Sequence, residues 1–176
     1  MEKLISFPVL VIFLFAGISV SSQNIKNKKP PLTLYTAESG SYIYDTVINV
    51  KDVSKQDLYK RAKNWVISTV RTSDNTVVFD DSGFNEIRTD VTIGISLYIG
   101  VAQVNFKLSI YLKDNKCRLL CESFMLHYVG SRIYDSPLET AKFIDIKKVN
   151  KGFDQQFTVL TNAFIKSVLE NKKSDW

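Results

Sequence analysis

The sequence predicts an α+β layer fold, a curved antiparallel sheet with two long helices packed on one face, in the order strand, helix, strands, helix. Three observations predict it. A helical run, Leu58, Ala62, Trp65, Val66 and Thr69, follows a serine placed to cap it. A stretch from Glu86 to Tyr128 is rich in β-branched and aromatic residues and alternates in polarity. A closing run, Phe153, Phe157, Leu160, Phe164 and Val168, is spaced by three and four residues. Helices segregated from consecutive strands form two layers, and the other face of the sheet is left to solvent or to a partner.

The chain of 176 residues opens on a short polar head containing Lys3, an apolar run from Leu4 to Val20 that includes Pro8, and then Ser21, Ser22 and Gln23. That order is a secretory signal peptide. Residues 1–22 are therefore expected to be cleaved near Ser22, which leaves a periplasmic or secreted chain without a transmembrane segment. No cysteine precedes Cys117, so a lipoprotein is not expected. Residues 23–39, polar or proline-containing and without period, are expected to be a flexible lead-in. A single domain follows over 40–172, with a tail at 173–176. The net charge of +5 comes from dispersed lysines, and the densest group, Lys26, Lys28 and Lys29, precedes Pro30 and Pro31. A nucleic-acid site needs a basic stripe on a folded face. No nucleic-acid partner is expected, while weak attraction to an anionic surface remains open.

From Ser41 to Val50 the run is aromatic and β-branched, and predicts the first strand. Ser54 then caps a helix, with Asp57 at the positive end of its dipole. Thr76 to Asp80 predicts a short strand closed by the turn residues Asp80, Asp81, Ser82 and Gly83. The next run changes parity: Ile93, Ile95, Leu97, Ile99 and Val101 are apolar at odd positions, Val104, Phe106, Leu108, Ile110 and Leu112 at even ones. A strand keeps its parity. A reversal therefore lies between Ser96 and Gln103, with Gly100 as its hinge. Lys113-Asp114-Asn115-Lys116 makes the next reversal, into a strand from Cys117 to Tyr128. Gly130 to Lys148 has no clean period and is expected to be irregular, with a short helical turn after Pro137. The second long helix closes the fold, with lysines at the negative end of its dipole.

Cys117 and Cys121, four apart in a strand, share a face but stand roughly 13 Å apart. A disulfide needs Cα atoms within about 7 Å, so both are expected to be buried free thiols. His127 is the only histidine, which leaves a zinc site or a histidine triad without nameable partners. Asp80, Asp81, Ser82, Asn85 and Glu86 offer oxygen ligands but not the spacing of a twelve-residue calcium loop. No metal or cofactor is expected. Glu122 has no assignable acid partner and is not nominated as catalytic. Trp65 lies on the helical stripe and is expected in the core; Trp176, in the tail, is expected to fray.

The alternation places Asn105, Lys107, Ser109 and Tyr111 on the outward face of one strand and Arg118, Leu120, Glu122 and Phe124 on that of the next. Aromatic and charged side chains mixed in this way suit a ligand or a partner. The candidate binding residues are Lys107, Tyr111, Arg118, Glu122 and Phe124. A segment from Gly130 to Lys148 laid over this face would remove the site.

The block Val53 to Val66, the pair Asp80-Asp81 and the run Ile110 to Arg118 resemble an exported bacterial family with a TATA-binding-protein-like fold, domain of unknown function 4468. The resemblance spans roughly Ile48 to Tyr128. Asn115 stands where that family usually has glycine, a change a left-handed turn accepts; Cys117 stands where an aromatic is usual. The resemblance implies a fold and no activity. Three classes of function follow. A non-catalytic envelope module binding an unknown ligand or protein is first, because the chain shows no phosphate loop, nucleophile motif, metal cluster or acid pair. A hydrolase-like enzyme would gather Glu122, Arg118 or His127 in a pocket. A structural subunit would add an edge strand to a neighbour.

Overall fold

The computed structural model describes residues 33–70, 78–79, 83, 85–98, 100–129, 133–142 and 146–170. Residues 1–22, expected from sequence to be a signal peptide, most of the lead-in, Thr76, Asp80 to Ser82 and Trp176 lie outside them. The elements follow in the expected order. They are β1 (Tyr35–Thr36), β2 (Tyr42–Asn49), α1 (Lys55–Thr69), β3 (Val78–Phe79), β4 (Glu86–Leu97), β5 (Gly100–Lys113), β6 (Lys116–Val129), β7 (Ile133–Pro137) and α2 (Ile146–Leu169). Six strands run β1-β2-β6-β5-β4-β3, and β7 pairs with β6 beyond the end of β2. All pairings are antiparallel.

Local chemistry sets the boundaries. The Ser54 side chain accepts from Asp57 N at 3.1 Å and caps α1. The helix buries Leu58, Tyr59, Ala62, Trp65 and Val66, so Tyr59 joins the stripe while Thr69 stays exposed. The β4–β5 hairpin closes with Leu97 opposite Gly100, where the change of parity places it. At the β5–β6 reversal Asn115 takes a φ of 62°, the left-handed conformation an asparagine tolerates. Its side chain accepts from Val53 N at 3.0 Å and Asp114 accepts from Lys55 N at 2.7 Å, which ties this turn to the start of α1.

Both helices lie on one face. Phe106 and Phe124 of the sheet stack at 5.1 Å, Phe153 and Phe157 of α2 stack at 5.2 Å, and the two pairs meet edge to face. Trp65 meets Phe164 at 4.9 Å and joins the helices. Cys117 and Cys121 are free and buried in this core.

Three sequence expectations are corrected. The lead-in is ordered from Thr33: its backbone N–H donates to Asp154 Oδ1 at 2.9 Å and its hydroxyl to the same oxygen, Leu34 is buried, and β1 pairs with β2. Within Gly130 to Lys148, β7 extends the sheet beside β6, because Ile133 to Pro137 find unpaired backbone beyond the end of β2. A turn after Pro137 then carries Leu138 and Ala141 into the core. The third correction is Phe124, which is 1% exposed and faces the helices. Ser123, at a φ of 59°, is the extra residue of a β-bulge: the pairing steps from Lys107↔Glu122 to Asn105↔Met125. Beyond it Phe124, Leu126 and Tyr128 take the core face and Met125 the wet one.

Candidate functional site

The wet face of the sheet is built from alternate residues of four adjacent strands. Asp45 and Val47 come from β2, Arg118, Leu120 and Glu122 from β6, Lys107, Tyr111 and Lys113 from β5, and Glu86, Arg88 and Asp90 from β4. No described element lies over them; the described part of the 130–148 segment adds to the edge and leaves the face open.

A polar band crosses this face. Arg118 forks onto Asp45 at 2.8 and 2.6 Å, and Arg88 forks onto Glu86 at 2.6 and 2.7 Å. Such bidentate pairs fix a guanidinium in direction as well as position. Tyr111 stands between them, opposite both Arg118 and Glu86, with the Arg118 guanidinium 5.9 Å from its ring centre. The guanidinium's hydrogen bonds, chiefly, hold the Asp45 carboxyl below its ordinary range, while partial burial opposes them.

Tyr111 divides two depressions. One, of about 450 Å³, is lined by Arg88, Thr89, Asp90, Lys107, Leu108, Ser109, Tyr111 and Glu122. Lys107 pairs in register with Asp90 on one side and Glu122 on the other, so charges of both signs alternate across its floor. The second, of about 470 Å³, is lined by Val47, Tyr111, Lys113, Lys116, Cys117 and Arg118, none of them acidic. Four of the five predicted binding residues, Lys107, Tyr111, Arg118 and Glu122, thus share one face. Phe124 does not. Sequence reasoning missed Asp45, Arg88, Lys113 and Lys116; the same alternation carried into β2 and β4, with register counted out from the Asp114-Asn115 turn, reaches all of them.

His127 Nδ1 lies 2.5 Å from Asp135 Oδ1, opposite it on β7, an ordinary strand-end partner. Asn85 accepts from Lys55 Nζ at 3.0 Å, and Glu86 belongs to the Arg88 fork. On the far side of the molecule a groove of about 510 Å³ runs between the helices past Arg61, Trp65 and Lys166.

The family described as "Domain of unknown function (DUF4468) with TBP-like fold" matches residues 44–126, the strands and helix that build this face. Over those residues the chain resembles the DUF4468 family. Two crystal structures share its fold. A TBP-like protein from Parabacteroides distasonis ATCC 8503 superposes with a TM-score of 0.66 at 11% identity, covering 75% of this chain and 95% of its own. A DUF4468 family protein from Bacteroides ovatus ATCC 8483 does so with a TM-score of 0.58 at 12% identity, covering 80% of this chain and 93% of its own. No curated protein matches the chain. The DUF4468 likeness gives an α+β antiparallel architecture and assigns no activity.

Proposed function

We propose that this protein is an exported, non-catalytic binding module whose ligand or partner sits on the wet face of the sheet. The observation that carries the reading is the pair of depressions sharing Tyr111 on the face opposite the helices. Concave sites with a few convergent polar groups are where small ligands seat. The amino-terminal pattern around Leu4 to Ser22 supports export. Amide NMR mapping of the isotope-labelled domain against a panel of small aromatic and charged fragments tests the site. Shifts gathered on residues 107–122 and their β2 and β4 neighbours are expected; shifts gathered in the α1–α2 groove would reject it.

A second reading, an oligomerising subunit, is favoured by one edge of the sheet. β3 pairs only with Ile87 and Arg88, so among the described residues the outer side of β4 from Thr89 to Leu97 has no strand beside it. Val91 to Leu97 contains neither charge nor proline. Such an edge invites another strand, and a second copy offers the same edge for an isologous pairing.

A further inference from the structure

We infer that the depression beside the β5–β6 reversal binds an anionic group carried on a short apolar body, of the class of an aryl phosphate or a medium-chain carboxylate. The inference rests on the wet-face reading above and names its ligand. Lys113 and Lys116 stand directly opposite each other as the last pair before the turn. Like charges so placed repel. Among the described residues neither lysine has an ion-pair or hydrogen-bond partner that would relieve this. The acid beside them, Asp114, is turned away, its carboxylate accepting from Lys55 N at the start of α1. Asp45, on the next strand, is committed to the Arg118 fork. Two lysines, paired in register across adjacent strands, therefore line a depression with no carboxylate in its lining.

The rest of the lining selects the body of the ligand. Val47 is 55% exposed there and Tyr111 presents its ring, a floor that a bare inorganic anion would leave wet. Arg118, fixed by Asp45 and lying over Tyr111, closes one side. The volume of about 470 Å³ falls in the range of small-ligand clefts. An anion at the lysines removes their repulsion while its body covers Val47 and Tyr111.

The test uses the labelled chain with phenyl phosphate and decanoate as probes, inorganic phosphate and benzyl alcohol as comparisons, and K113Q/K116Q and K151Q as variants. Lys151 is an exposed lysine of α2 on the opposite side. Phenyl phosphate or decanoate is expected to shift the amides of Val47, Tyr111, Lys113, Lys116 and Arg118. Affinity should fall about tenfold in K113Q/K116Q, as for losing charge-assisted contacts, and hold in K151Q. Unliganded K113Q/K116Q should melt no lower than the wild type, since repulsion is removed. Equal binding by K113Q/K116Q, equal binding of inorganic phosphate or of benzyl alcohol, or no saturable shift with either probe would overturn the inference. So would binding to anionic phospholipid vesicles in place of the soluble anions, which would assign the lysines to a membrane surface. Shifts on the wet face that ignore K113Q/K116Q overturn the ligand assignment alone; shifts only in the α1–α2 groove overturn the wet-face reading as well.

Discussion

Asp45 and Arg118 show how one contact fixes both the shape of the wet face and its response to acid. The guanidinium's hydrogen bonds, with its charge adding to them against partial burial, depress the Asp45 pKa. A carboxyl depressed on folding contributes stability that is complete above its unfolded value of about 3.9 and is lost as pH falls through the lower folded value. Arg118→Gln is expected to raise the Asp45 titration toward the ordinary range, followed by its side-chain carboxyl carbon in NMR, and to flatten the acid limb of the stability curve; an unmoved titration would mean the fork is absent in solution. Burial acts in the opposite sense on Cys117, pushing its thiol up to about 12, and it raises Cys121 as well, so both stay protonated as small apolar core residues. Single residues also mark where the sequence stops being legible. Lys107, Tyr111, Arg118 and Glu122 could be placed on one face because strand alternation is strict up to Glu122. Phe124 could not, because Ser123 adopts a left-handed backbone that nothing in a serine announces.

Among the elements, the helices were the most legible, since capping and three-four spacing are local properties that tertiary contacts reinforced. Ser54 caps α1, and Phe153, Phe157, Phe164 and Val168 are all buried in α2. The hairpins were legible through the change of parity and the Asp114-Asn115 turn. β1 and β7 were not: they are short edge strands, at Tyr35–Thr36 and Ile133–Pro137, whose pairing depends on distant backbone rather than on their own pattern. The seating of α2 on β4 is set by absence of a side chain at Gly152, where an added Cβ would lie 2.7 Å from Ile95 Cγ2. Alanine at a free helical position would stabilise by about 1 kcal/mol over glycine. Here the clash reverses the sign: Gly152→Ala should lower stability by about 1–2 kcal/mol in chemical denaturation, and Ile95→Ala combined with it should cost less than the two changes summed. A stabilised Gly152→Ala would show that α2 sits farther from the sheet.

For the molecule as a whole, the two edges of the sheet differ. One is finished by β1 and by β7, which ends in Pro137, while the β4 edge runs uncharged from Val91 to Leu97. Thr92 points to the wet side and bonds Asn105 at 2.8 Å. A lysine there opposes pairing between edges without touching the core, so if β4 joins two copies, Thr92→Lys should convert a dimer in sedimentation velocity to a monomer at the same concentration. A monomer in both chains removes the oligomer reading and leaves the wet face as the working surface. The anchoring of Thr33 to Asp154 also orients the whole domain. Asp154 belongs to α2, so Thr33 is fastened to the helical layer, away from the face bearing Tyr111. A body resting against Thr33 and the helices would cover the back of the domain, and the face bearing Tyr111 would be turned outward, toward whatever approaches.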